Sequence, residues 1–195
     1  MFDSAVDHLI HNVMPSLADY SAAEDALSLA YAADTAPAMW ETEARSAKRH
    51  AANLAIAIDG LTDRYRNAAG GSKKGIRASV EKFCVWPGTA FRREGCIKRV
   101  EGVANAYKHQ NLRDLSLPIT SDEDVLVVAL GYGLDAYGVG KYGGMEVIVR
   151  EKTGQQWKFL GDAPVAVTAW MQFLNTQGAT LPSRPYHFGN LKLYP

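Results

Sequence analysis

The stretch WETEARSAKRHAANLAIAIDGLTDRY, residues 40–65, decides how the first two-thirds of the chain folds. Trp40, Ala44, Ala47, Ala51, Leu54, Ile58, Leu61 and Tyr65 recur in alternating steps of four and three. That spacing places them on one stripe of an α-helix. Alanine at three successive positions of the stripe lets a neighbouring helix approach closely, so the stretch predicts a long bundle helix. Gly60 lies inside it at a cost in helix propensity, and Gly70-Gly71 ends it.

Upstream, Val6, Leu9, Ile10 and Val13 repeat at helical spacing, and Pro15 should end or bend that helix. Ser21 and Glu24 have the spacing of a capping box, which predicts a second helix reaching about Ala33. Pro37 suits a first helical turn, where a missing N–H costs nothing. Downstream, residues 72–75 (SKKG) read as a mobile basic link. A short helix is expected from Ile76 to Phe83, and a longer one from Thr89 to about Asn111 with Val100, Val103, Ala104 and Tyr107 as its apolar side.

Beyond residue 113 the period changes. Val125–Leu130, Met145–Val149 and Trp157–Leu160 are β-type runs, and Lys152-Thr153-Gly154 supplies a turn between the last two. The expectation is a three-stranded antiparallel meander. A last helix, capped by Asp162, runs through Val165, Thr168, Ala169, Phe173 and Leu174 to Gly178, and the tail is extended. The fold class is therefore α+β: a helical bundle over 1–113, then a meander and closing helix over 114–195, packed as one unit.

Composition narrows the function classes. Of 195 residues 47 % are apolar and 22 % charged, which excludes a disordered or low-complexity chain. No apolar run reaches the ~18 residues that span a bilayer, so no membrane partner is expected. Two cysteines, Cys84 and Cys96, fit reduced, buried thiols in a cytoplasmic protein. The formal net charge is zero, yet it is unevenly spread. Residues 1–40 carry six carboxylates and no Lys or Arg, while residues 41–113 carry fifteen Lys and Arg against seven acids. Such asymmetry points to an interaction surface, unless the acidic opening stretch covers the basic middle.

Two places carry candidate chemistry. In RVEGVANAYKHQNLRD, residues 99–114, Glu101, Asn105 and His109 follow at intervals of four and share a helix face, bordered by Lys98, Arg99, Lys108 and Arg113. A histidine beside an amide and cations can serve as general base on a ribose hydroxyl while the cations hold the phosphate. The catalytic set would be His109, Asn105, Arg99 and Lys108. The structural alternative has His109 capping helix carbonyls and Asn105 bonding a nearby loop.

The second place is GYGLDAYGVGKYGG, residues 131–144. Its Gly140-Lys141 pair lacks the spacing and hydroxyl residue of a phosphate loop, so it reads as a long hairpin connection. Tyr132, Tyr137 and Tyr142 beside Lys141 would stack bases or meet a partner protein. His8 and His11 share the first helix but have no further ligand pattern, and His50 sits among solvated cations, so neither a metal nor a cofactor is expected.

The ANAYKHQ segment at the end of a helical domain resembles the HEPN superfamily of small bacterial helical bundles, many of them ribonucleases of toxin and defence systems. The resemblance covers residues 3–113 and implies a helical bundle that binds or cleaves RNA without metal. In that family an arginine precedes the histidine by four to six intervening residues; here Gly102, Val103 and Ala104 stand at those positions, and Arg99 lies farther off. That departure implies a member that binds rather than cleaves. The resulting expectation is an RNA- or partner-binding protein. The alternatives are a metal-independent ribonuclease and a homodimeric scaffold whose 40–65 stripe is completed by a second copy.

Overall fold

A computed structural model of the chain describes residues 2–33, 36–109, 116–129, 144–183, 186–188 and 191–193. Helix α1 (Asp3–His8) passes through a π-helical turn (Leu9–Val13) into α2 (Met14–Ala33). Pro15 therefore does not end the helix. It has no N–H to bond residue 11, and the widened turn just before it absorbs that mismatch. Ser21 and Glu24 lie inside α2 rather than at its start, which corrects the capping-box expectation. Glu24 is fully buried. It accepts a hydrogen bond from the Tyr20 hydroxyl at 2.8 Å and another from the Val147 N–H at 3.0 Å.

Helix α3 (Pro37–Ala69) follows the sequence stripe closely. From Ala44 to Tyr65 every stripe residue is buried, and Trp40, at the outer end, is half-buried against Tyr31. The stripe packs chiefly on α2, and its far end meets the last helix, where Tyr65 lies 5.0 Å from Phe173. The chain itself thus completes this stripe, which corrects the expectation that a second copy does so. Gly60 has a local reason. A Cβ there would come within 2.9 Å of the His8 ring, whose Nε2–H donates to the Ala57 carbonyl at 2.9 Å.

Helix α4 (Lys73–Glu81) begins where a mobile link was expected. Ser72 caps it, its hydroxyl accepting the Gly75 N–H at 3.0 Å, and Ile76 and Val80, four apart, pin it to the core. Helix α5 (Cys96–Lys108) is shorter than its sequence signal, because residues 85–95 form a turn in which Val85 bridges to Arg92. Cys84 and Cys96 are free and buried.

Strands β1 (Val125–Ala129), β2 (Met145–Arg150) and β3 (Gln156–Lys158) form the antiparallel meander, with β2 central. The register pairs Val127 with Val147 and Val149 with Trp157. Met145, Val147 and Val149 alternate toward the common core. The third strand stops at Lys158, and α6 (Phe159–Thr176) starts at once, so Asp162 lies within the helix instead of capping it. With β3 ending opposite Ile148, the next N–H of β2, that of Val147, has no strand beyond it, and the Glu24 carboxylate takes that place. The tail is more ordered than expected: β4 (Tyr186–Phe188) and β5 (Leu191–Leu193) pair as a small antiparallel sheet. One hydrophobic cluster runs through the helices, the meander and the tail. Among the described residues no helix is long and apolar enough to cross a membrane.

Candidate functional site

Helix α5 has two differently charged sides, and everything in the candidate site follows from which residue falls on which. Arg99 precedes Asn105 by six positions, about 240° around the helix, so it points away from the face carrying Glu101, Asn105 and His109. It is 1 % exposed. Its Nε donates to Asp162 Oδ2 and its Nη2 to Asp162 Oδ1, both at 2.9 Å, and Nη1 bonds the Glu94 carbonyl at 2.9 Å. Arg93 grips the same carboxylate, Nε to Oδ1 at 2.6 Å. The Trp157 ring covers both guanidiniums, 4.0 Å from that of Arg99 and 5.3 Å from that of Arg93. Burial pushes the Asp162 carboxyl up, but the charges and hydrogen bonds of Arg99 and Arg93 outweigh it and hold the group below its ordinary value. This fully paired triad is structural. Arg99 is thereby removed from the expected catalytic set, a correction that the helical angle explains. Along the axis it also sits about 15 Å from His109.

The other side of α5 faces α4 and α3 through a chain of alternating charges. Lys108 Nζ bonds Asp59 Oδ2 at 2.9 Å, Asp59 Oδ1 meets Arg77 Nη2 at 2.6 Å, and Arg77 Nη1 reaches Glu101 Oε1 at 2.7 Å. Lys108 is thus engaged, although its side chain keeps 31 % of its surface in solvent. Among the described residues, Lys108, Arg77, Lys73 and Arg66 of the basic middle segment pair with carboxylates of the same segment, and Arg93 and Arg99 pair with Asp162. Across to the acidic opening stretch Arg64 donates to the hydroxyl of Ser4, at 3.2 Å.

Next to this chain, α4 and α5 enclose a cleft of about 570 Å³. Lys74, Arg77, Ala78 and Glu81 supply one wall, Ile97, Lys98 and Glu101 the other, and Gly95, Ser116 and Leu117 complete it. Glu81 ties the walls together, accepting the Ile97 N–H at 2.9 Å at the start of α5. Burial pushes its carboxyl above the ordinary value, with backbone N–H groups of α5's first turn and Arg99 pulling the other way. Gly102 lets the segment after residue 116 lie close, since a Cβ there would meet Ile119 at 3.0 Å. Lys74 and Lys98, one on each wall, have no ion pair among the described residues. Lys74 and the cleft were not apparent from sequence because α4's first turn read as a loop, and Glu81 was not because its partner, the Ile97 N–H, lies 16 positions away.

His109 is exposed and follows α5 in extended conformation, its N–H bonded to the Asn105 carbonyl at 3.0 Å. Asn105 is half-buried one turn before it. The structure therefore brings His109, Asn105 and Lys108 to one end of α5 and leaves Arg99 elsewhere. Tyr132, Tyr137, Lys141 and Tyr142 lie outside the described residues, as does Arg113. His8 lies against α3 with its Nε2 bonded there and its Nδ1 buried without a hydrogen bond among the described residues, whereas His11 is exposed 3.5 Å from Asp7. Among the described residues no three His, Cys, Asp or Glu side chains are grouped to hold a metal. Compared with known families, curated proteins and solved structures, the chain matches none.

Proposed function

We propose that the protein binds RNA through the face formed by α4 and α5. The observation that carries this reading is the pair Lys74 and Lys98, standing on opposite walls of one cleft with no carboxylate partner among the described residues. By contrast, Lys108 and Arg77 beside the cleft are already paired, in the Lys108–Asp59–Arg77–Glu101 chain. Two ammonium groups on the walls of one cleft attract phosphate, and phosphate binding there should release counterions. The resemblance of ANAYKHQ to HEPN bundles points the same way, and the two buried free thiols accord with an intracellular protein.

Fluorescence anisotropy with single-stranded RNA at rising salt tests the reading. The logarithm of affinity should fall linearly with the logarithm of salt, and Lys74→Gln with Lys98→Gln should flatten the slope by about 1.4, about 0.7 per lost phosphate contact. Affinity indifferent to salt, or to the double substitution, overturns it. A second reading, metal-independent cleavage with His109 as base beside Asn105 and Lys108, is favoured only by the exposure of the His109 ring. It requires RNA cleavage in EDTA that His109→Ala abolishes.

A further inference from the structure

We infer that the protein associates with itself head to tail: the hairpin that joins α4 to α5 in one copy seats its tip, Phe91 and Arg92, in the groove along α1 of the next. The inference stands apart from RNA binding, because neither Lys74 nor Lys98 enters it.

The hairpin, residues 84–93, is held by its own hydrogen bonds. The Arg93 N–H donates to the Cys84 carbonyl at 2.9 Å, Val85 bridges to Arg92, and the Trp86 N–H meets the Phe91 carbonyl at 2.8 Å. Its end is a tight turn: Pro87 and Gly88, the latter at φ +77°, let the Thr89 N–H return to the Trp86 carbonyl at 3.1 Å. At the base Arg93 is bonded to Asp162, so the tip is set before anything meets it. Phe91 nevertheless keeps 44 % of its surface in solvent, and Arg92 and nearby Lys82 are exposed with no ion pair among the described residues. Aromatic rings and arginine are the side chains that protein interfaces favour.

The receiving surface has the opposite charge. Asp3, Val6, Asp7 and Ile10 share one face of α1 and the turn after it, and they line a groove of about 520 Å³. A cavity of about 150 Å³ already holds a benzene ring. Val6 and Ile10 are half-buried there and offer apolar contact, while Asp3 and Asp7 are exposed and offer carboxylates to a guanidinium or ammonium group. A second copy is the occupant that answers both surfaces at once. A polyanion on the hairpin leaves the groove unmet, and a basic peptide in the groove leaves Phe91 and Arg92 unmet. Every copy carries both, and the zero formal net charge means that whole copies do not repel one another. Because the two surfaces are unlike, the contact can repeat from copy to copy, closing a ring or extending a chain.

The test follows the mass of the full chain by sedimentation at low salt, at concentrations up to about 1 mM. The mean mass should rise with concentration to at least that of two chains. Two variants divide the contact: Phe91→Ala with Arg92→Glu removes the tip, and Asp7→Lys reverses the charge of the groove. All three side chains are exposed, so both variants should stay folded, which thermal melting checks. Each variant alone should lower the association constant at least about tenfold. Mixed in equal amounts, they should regain a mass of two chains, because the tip variant keeps an intact groove and the groove variant an intact tip. A chain that stays monomeric throughout, or association unchanged in the folded tip variant, overturns the inference. So does a mixture that stays as weak as its parts, which would place both residues on one self-matching surface.

Discussion

The two charged networks that flank α5 use the same side-chain chemistry in opposite surroundings. On one side Asp162 sits between Arg93 and Arg99, with every side chain at most 1 % exposed. On the other, Asp59 and Glu101 hold Lys108 and Arg77, with exposures from 7 % to 31 %. Taking an ion out of water costs several kcal/mol, so the first network is stable only when every member is present. The second keeps part of its hydration, and each pair there adds little to folding. What the second network does is decide which positive charges near the cleft remain unspent. On the proposed RNA-binding reading, stability and ligand affinity are assigned to opposite sides of one helix.

The largest effect should come from the buried side. Asp162→Asn leaves two buried guanidiniums without a counter-charge and should cost about 3–5 kcal/mol in denaturant unfolding. A loss below about 1 kcal/mol would erase the distinction between the networks. The same carboxylate sets an acid limb. Its folded-state value lies below the ordinary 3.8, so an unfolded chain takes up the proton first, and its contribution, complete above about 3.8, declines as the pH falls further toward the folded-state value. Asp162→Asn should flatten the fall in melting temperature over that range; an unchanged acid limb would put the effect in Asp63 or Asp124, whose values are also lowered.

On the half-exposed side Arg77→Gln should cost less, about 1–2 kcal/mol, because Lys108 still neutralises Asp59 and water reaches Glu101. A cost equal to that of Asp162→Asn would show the two networks to be equivalent. The smallest effect belongs to the rim of the cleft: Lys98→Gln should change stability by less than about 0.5 kcal/mol while weakening the binding of phosphate-bearing ligands. A melting curve displaced as far as that of Arg77→Gln would mean that Lys98 is part of the fold.

How much of this was readable in advance depends on the range of the interaction involved. The α3 stripe was legible because helical period reports burial, and Ala44 through Tyr65 are buried accordingly. The three strands were legible from β-branched runs, though Trp157–Leu160 lost its last two residues to α6. Ser21 and Glu24 were misread because a capping box is a local rule, while the partner of Glu24 is Val147, 123 positions away. The Asp162 triad was hidden for the same reason, with 63 positions between Asp162 and Arg99. A lone acid within the apolar run FLGDAPVAV was the signal available for it. The misplacement of Arg99 was different, since counting angle from Asn105 already turns it away from the His109 face. Lys74 was missed because lysine and glycine around Ser72 suggested a link, while the helix-start signal at Ser72 and the Ile76–Val80 pair argued for a helix.

The Glu24 carboxylate beside the Val147 N–H has one more consequence. A strand N–H that is buried without an acceptor costs about 1–3 kcal/mol. Here the side chain of Glu24 on α2 supplies that acceptor. Glu24 and Val147 are both fully buried, so in a chain that loses the carboxylate no water stands ready to replace it.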